Sequence, residues 1–550
     1  MPSRQPKRRQ SAPPAESPRS FILPLLERLP GLLAILLVLI ASGRIASTYT
    51  VFNHTIDEPA HIAAGMEWLD RHVYLYEPQH PPLARAAAAV GPYLLGIRSQ
   101  GTPGTGFEAE SMEGAKILYR DRHYDLTLAV ARLGILPFFW IACLVVYGWG
   151  KRLHGPAAAV IALFFFTFLP PILAHAGLAT TDMALTAFLG AAFVALLRWA
   201  ERPTWKNGIL FGAATGLAAI SKFSSLVFFP ASAALALAGY LFFQRPAISA
   251  LMASAKERLP SFGLAVAVGA VIIGASYRFS LSAFFAGIGA VAAHNAEGHP
   301  TYLLGERSSS GFWYFYPVVL AVKTPLALVL LFGAALWWIF RDSSRLRRDW
   351  PVLAFMGGIV LVALSSRIQI GVRHILPVYF GMSLLSAAAI VDWIGQARTR
   401  AWIRATIGVL MVWFAASSLL SHPDYLAYTN ELAGESPEKV LADSDLDWGQ
   451  DMKRLSARLH QVGAGQVSFS PTVLADFEGE LGFPRVTESN PVAPSAGWNA
   501  VSMSYWKVRR LGLMDTHREV VLWPDRVPPG ERVGKGVMLW YFPPSMERPR

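Results

Sequence analysis

A chain of 550 residues that is 53% hydrophobic and 16% charged, with a mean hydropathy of +0.36, carries too little charge for a soluble protein of this length. The net charge of +12 would suit a nucleic-acid binder, but the basic residues cluster in short loops between apolar runs, as in polytopic membrane proteins. Such a distribution argues for membrane insertion and against nucleic acid as a partner. The single cysteine, Cys143, lies in an apolar run, so no intrachain disulfide is possible and cysteine usage does not identify the compartment.

Residues 1–28 carry Arg4, Lys7, Arg8, Arg9 and Arg19 among prolines and serines and are expected to form a disordered, basic, cytoplasmic tail. The apolar run that follows is too long for a cleaved signal peptide, and no small-residue cleavage site stands out. About eleven spans are expected, at roughly one per 20 apolar residues. They fall near 29–50, 126–149, 157–175, 182–199, 207–221, 225–243, 261–278, 317–340, 351–366, 372–393 and 402–420. Leu83–Leu95 is apolar but short and carries Arg85, which suits an interfacial or re-entrant helix. With the N-terminus inside, the inner loops become Lys151-Arg152, Arg198–Lys206, Arg245–Arg258, Arg341–Arg348 and Arg398–Arg404, all basic. A crossing at Leu83–Leu95 would turn all five outward.

Three segments then face away from the cytoplasm: a loop at 51–125, a second at 279–316, and the tail over 421–550. The tail is expected to fold as a small α/β domain. Asp443–Gln461 reads as a helix started by Asp443/Ser444, with Leu446, Met452, Leu455 and Leu459 on one face. Val467–Phe469, Ala500–Tyr505, Val520–Leu522 and Val537–Tyr541 read as short strands.

Chemistry concentrates on the outer side. Asp57 and Glu58 are adjacent acids just past the first span. Pro59 behind them suits a first helical turn, and His61 shares a helical face with Asp57. An acidic pair in a loop is commonly a solvated helix start. Here its position beside the membrane makes it the first place to seek a catalytic base. His80 precedes Pro81-Pro82, which stiffen the entry to the Leu83–Leu95 helix; its ring can add a hydrogen-bonding group. Asp182, after Thr180-Thr181, can cap a span, yet a carboxylate this close to hydrocarbon is costly enough to suggest a site role as well.

Lys222, Arg278, Arg367, Arg373 and His374 fall at outer span ends, and Lys323 lies roughly two turns inside one. One such cation is ordinary snorkelling. Several on one face call for an anionic partner at headgroup depth, for which a lipid phosphate is the natural candidate. The second loop ends in Trp313-Tyr314-Phe315-Tyr316-Pro317, adequately explained as an interfacial aromatic belt; its polar part can cover a site or line a carrier groove.

In this order and on this side of the membrane, the motifs resemble the GT-C class of glycosyltransferases. More closely they are similar to the phospholipid carrier-dependent, family 39-like group of protein O-mannosyltransferases and bacterial aminoarabinose lipid A transferases. The matching stretches are Asp57-Glu58-Pro59, His80-Pro81-Pro82-Leu83, Ala131-Arg132, Thr180-Thr181-Asp182, Lys222-Phe223-Ser224, Gly305, Lys323-Thr324-Pro325 and Arg373-His374-Ile375-Leu376-Pro377. They cover residues 30–420. The tail stretch Asp443-Ser444-Asp445-Leu446-Asp447-Trp448-Gly449-Gln450 looks like one found in bacterial members, with helix capping its only evident role; the tail does not resemble a β-trefoil.

The resemblance implies a GT-C fold and inverting transfer from a polyprenyl-phosphate sugar to a lipid, glycan or protein acceptor at the plasma (inner) membrane. It implies Asp57 as general base, with Glu58 positioning the acceptor or supporting Asp57, and Asp182 orienting sugar or acceptor. Lys222, Arg278 and Arg373 would hold the phosphate, with His374 nearby, and His61, His80 and Lys323 would complete the substrate-binding group. No cofactor is required; a divalent metal is possible but not indicated, and Asp443-Ser444-Asp445 reads as a cap. The rival reading is a transporter or flippase for an anionic polyprenyl-linked lipid. It would share the basic outer mouth but would not need the acidic pair, and the repeated halves common in transporters are not evident.

Overall fold

The computed structural model describes residues 26–396, 400–508 and 521–544. The expected N-terminal tail therefore lies almost wholly outside the described residues. The rest is a helical bundle carrying a small sheet domain at its C-terminal end. Six helices among the described residues are long and apolar enough to cross a membrane, or seven if one bent pair counts as a span. Shorter apolar helices such as Pro30–Ala46 and Trp205–Ala219 occupy other expected spans.

The centre of the bundle is the Val378–Gly395 helix, 72% of whose most apolar window is buried. It packs against Leu136–Phe168, where Phe166 stacks on Phe380 at 5.1 Å, and against the Phe355 side of Ser343–Leu364. Ser225–Gln244, Ile248–Ser276 and Ala401–Leu420 are equally apolar but only 17% buried, so their apolar surface faces outward, as lipid-facing helices require. Leu136–Phe168 joins two expected spans through Gly155, whose φ of 85° lets the chain bend there.

The Phe315–Lys323 and Leu326–Phe340 helices meet at 118°. Pro325 offers no N–H and forces Thr324 into an extended conformation, which breaks the helix. Pro82–Leu94 is a short helix packed on Glu58–Met66 and Tyr124–Leu133, with Leu83 N–H bonded to Ile220 C=O. The second loop contains the Leu281–Glu297 helix and a hairpin of β1 (Thr301–Leu303) and β2 (Glu306–Ser308).

The tail sheet has β3 (Gln466–Ser470), β4 (Arg485–Glu488), β5 (Gly497–Ser502), β6 (Glu531–Val533) and β7 (Val537–Phe542), in the order β4-β3-β5-β7-β6. Strand β3 is parallel to both neighbours, β4 and β5, and β7 is antiparallel to β5 and β6. Two expected strands coincide with β3 and β7. Ala500–Tyr505 is strand only to Ser502, before a helix at Met503–Lys507. Val520 lies outside the described residues, while Val521 and Leu522 lead into a 3₁₀ turn at Trp523–Asp525.

The expected helix over Asp443–Gln461 is only half formed. Asp443–Asp445 is a single 3₁₀ turn, and α-helix begins at Met452. Left-handed backbone at Asp443 (φ 59°) and Gly449 (φ 85°) interrupts it, and the Asp445, Asp447 and Asp451 carboxylates accept the distant backbone N–H groups of Val372, Ser504 and Gly536.

Candidate active site

Four charged side chains from separated parts of the chain form one row. Asp57 closes the bend before the Glu58–Met66 helix, and its Oδ2 accepts from Arg373 Nη1 at 2.8 Å. The same Nη1 is 3.9 Å from Asp182 Oδ2, and Asp182 Oδ1 accepts from Lys222 Nζ at 2.6 Å. Asp182 opens a spanning helix, Lys222 sits in the turn before another, and Arg373 lies on the 3₁₀ turn Val372–Ile375 leading into the central helix. The row thus gathers at one end of the bundle. Asp182 is fully buried, Lys222 and Arg373 nearly so, and Asp57 is the most open, its side chain 19% exposed.

Several polar atoms around the row have no hydrogen-bond partner among the described residues. They include Asp182 Oδ2, Arg373 Nε, His175 Nδ1, Thr180 Oγ1, Ser224 Oγ, Ser225 Oγ and His80 Nδ1. Buried polar groups are normally satisfied, so their concentration here marks a place suited to a polar ligand. Among the described residues no three His, Cys, Asp or Glu side chains converge as a metal site.

Glu58, though adjacent to Asp57, is employed differently. Its carboxylate is fully buried and receives Arg132 Nε and Nη2, each at 2.8 Å. It also accepts from Ala179 N–H at 2.9 Å and Thr55 N–H at 2.8 Å. Burial alone would raise its pKa, but Arg132 and these donors outweigh it and hold the carboxyl below its ordinary value. Arg132 in turn bonds the carbonyls of Tyr49, Phe52 and Asn53. The pair ties the start of the first loop to the bundle. A Cβ at Gly114 would overlap the Pro59 carbonyl, which fixes the close approach of the Phe107–Leu118 helix behind it.

His61 turns away from Asp57. Its Nδ1 accepts from Arg85 Nε at 3.1 Å, and its ring meets His80 edge-on at 5.1 Å. Burial, together with nearby cations, keeps both imidazoles well below the usual histidine range and so neutral near pH 7. Arg85 continues inward to Glu77 (2.9 Å) and Glu110 (3.2 Å).

His374 is half-buried and next to Arg373 in the 3₁₀ turn, within electrostatic reach of Lys222 and Asp182. Lys323 is buried with its Nζ on the carbonyls of Leu426 (2.7 Å) and Asp445 (2.6 Å), so it fastens the tail to the bundle. Arg278 is exposed and lies over Trp68, bonding its carbonyl and His72, outside the charged row. Arg367 is exposed as well, bonding Ala296 C=O.

The tail loop 443–451 reaches the same place. Arg373 sits over the Trp448 ring, its guanidinium carbon 4.0 Å from the ring centroid, and Asp443 is close enough to feel Arg373 and Asp57. Burial pushes the Asp443 carboxyl up to about 6. Neither residue was assigned to the site from sequence, nor was His175, whose ring faces Trp448 edge-on at 6.1 Å. The available signals were a lone histidine in an apolar stretch and four acids within nine residues of the tail, Asp443, Asp445, Asp447 and Asp451.

Residues 127–274 match the family model of dolichyl-phosphate-mannose-protein mannosyltransferases. The fold matches the crystal structure of ArnT from Cupriavidus metallidurans bound to undecaprenyl phosphate, with a TM-score of 0.50 and 14% identity over 92% of this chain and 97% of that one. The chain has a GT-C-type membrane fold. The chain is also similar to the oligosaccharyltransferase AglB from Archaeoglobus fulgidus (TM-score 0.41, 16% identity, 72% of this chain and 56% of that one). A further similarity is to the arabinofuranosyltransferase AftD from Mycobacteria (TM-score 0.40, 13% identity, 88% and 35%). No protein of curated function matches the sequence.

Proposed function

We propose that this transferase moves a sugar from a polyprenyl-phosphate donor to an acceptor hydroxyl, with inversion, at the face of the plasma membrane away from the cytoplasm. The N-terminus is then cytoplasmic and the C-terminal domain periplasmic or extracellular. The observation that carries the reading is the row Asp57–Arg373–Asp182–Lys222 amid unpartnered polar atoms.

The acceptor oxygen attacks the anomeric carbon as the bond from that carbon to the phosphate oxygen breaks. The electron pair leaves with the polyprenyl phosphate, and the acceptor proton passes to Asp57. Asp57 suits this as the most open acid of the row. Lys222 and Arg373, with His374 nearby, stabilise the charge that gathers on the leaving phosphate. Asp182 orients the sugar and keeps both cations in place. Two acids and two cations leave the row formally balanced, so an arriving phosphate competes with Asp57 for Arg373 and frees the carboxylate to act as base. Glu58 supports Asp57 through Arg132 and does not itself take the proton.

Purified protein incubated with radiolabelled polyprenyl-phosphate sugars and candidate acceptors tests the proposal. Wild type is expected to transfer label and Asp57→Asn to lose transfer; equal transfer by the variant removes Asp57 from the role of base. Movement of the labelled lipid across proteoliposomes without any glycosylated product would favour the flippase reading instead.

A further inference from the structure

The tail loop penetrates further into the bundle than a domain resting on top would. We propose that Trp448 is a positioning residue for sugar transfer, a part of the site supplied by the C-terminal domain that sets the relative placement of Arg373 and Asp57. This inference rests on the transferase reading above and adds a residue and a domain to it.

Trp448 touches the row from three directions. The Arg373 guanidinium carbon sits over its ring, 4.0 Å from the centroid. Its carbonyl accepts the N–H of Ile56, the residue before Asp57, at 3.1 Å. Its ring edge meets His175, whose neighbourhood includes Asp182, at 6.1 Å. The side chain is 1% exposed. A guanidinium held over an aromatic ring by cation–π attraction is anchored there and must find its hydrogen-bond partners on its remaining sides. Those partners are Asp57 and Asp182 here, and the donor phosphate when it is bound.

The loop that holds the indole is braced on both sides. Asp445 Oδ1 accepts Val372 N–H, beside Arg373, at 3.0 Å, and Ser444 Oγ donates to Ile370 C=O. Gly371 (φ 131°) lies between them, where a Cβ would come within 2.6 Å of Ser444 Oγ. On the other side Asn53 Nδ2 donates to Gly449 C=O at 2.7 Å, while its Oδ1 accepts Met452 N–H at 2.8 Å. Within the loop, Gln450 Oε1 accepts Trp448 N–H at 2.7 Å. The indole is therefore fixed relative to residues 53–57 and 370–373 together. Such bracing holds a charge ready for the transition state without reorganisation.

The test uses the full-length protein in nanodiscs and compares wild type, Trp448→Leu, Trp448→Phe, Arg373→Gln and the Trp448→Leu/Arg373→Gln double variant. Transfer kinetics and melting temperature are measured for each. Trp448→Leu should lower kcat about tenfold, Trp448→Phe should recover to within about threefold of wild type, and the leucine should add less than about twofold on Arg373→Gln. An unchanged kcat in Trp448→Leu overturns the inference. So does a loss of the same factor in both arginine backgrounds that tracks lowered melting temperature, because a merely structural tryptophan behaves that way. A wild type that transfers no sugar overturns the transferase reading along with it, whereas an active wild type with an indifferent Trp448 overturns this inference alone.

Discussion

The two neighbouring acids should fail in opposite ways when neutralised. Glu58 Oε1 accepts from Arg132 Nε and Ala179 N–H, while Oε2 accepts from Arg132 Nη2, Thr55 N–H and Thr55 Oγ1. In Glu58→Gln one of those oxygens becomes an NH₂ group, so whichever way the amide lies it points hydrogens at at least two donors. Arg132, 1% exposed, is left charged with no counterion at bonding distance. Breaking a buried pair by removing one partner costs about 3–5 kcal/mol. Asp57 has one bond to Arg373 from a partly open position, so Asp57→Asn removes little stability. Thermal melts and initial rates, normalised to folded protein, should show Glu58→Gln losing several degrees while its folded fraction keeps transferring. Asp57→Asn should melt like wild type and lose about 10²–10⁴ in rate, the usual contribution of a general base. A Glu58→Gln protein with wild-type melting and no transfer would refute this division of labour.

Arg373→Lys keeps the charge but loses the flat fork shared between Asp57 and Asp182, and kcat/KM should fall about tenfold to a hundredfold in steady-state assays. Lys323→Met removes the donors to Leu426 and Asp445 carbonyls, so limited proteolysis should cut between residues 421 and 451 faster than in wild type. Burial raises Asp443 to about 6 and Asp447 to about 7, opposed in the first by Arg373 and in the second by the Ser504 and Gly449 N–H groups. These folded values exceed the unfolded value of about 3.9, so the stability they confer is full below that pH and is lost as pH rises through 6 and 7. The melting temperature should therefore be higher at pH 5.5 than at pH 8, and Asp443→Asn, which tolerates the left-handed backbone, should flatten that slope.

What could be read from the chain followed from strong local signals. Long apolar runs name their helices, and a carboxylate or cation at a span end is conspicuous because it is expensive there. Asp57, Asp182, Lys222 and Arg373 stood out on those grounds, and the structure brings these four together. Arg278 had the same signal and stands apart, because span-end position says nothing about which side of a helix faces inward. The division between Glu58 and Asp57 was invisible, since it depends on Arg132 arriving from 74 residues away. The tail loop was misread as a cap for a similar reason: its acids look like a helix start until the backbone donors at Val372, Ser504 and Gly536 are in place.

Four charges at 57, 182, 222 and 373 are made before the indole that covers one of them. A nascent chain can therefore complete its helical bundle and still lack a finished site. Until residues 443–451 have been synthesised and have folded back onto the bundle, Arg373 has an open face and Lys323 lacks the Asp445 carbonyl. Under the proposed function, catalytic competence therefore arrives only once this late-made loop has docked.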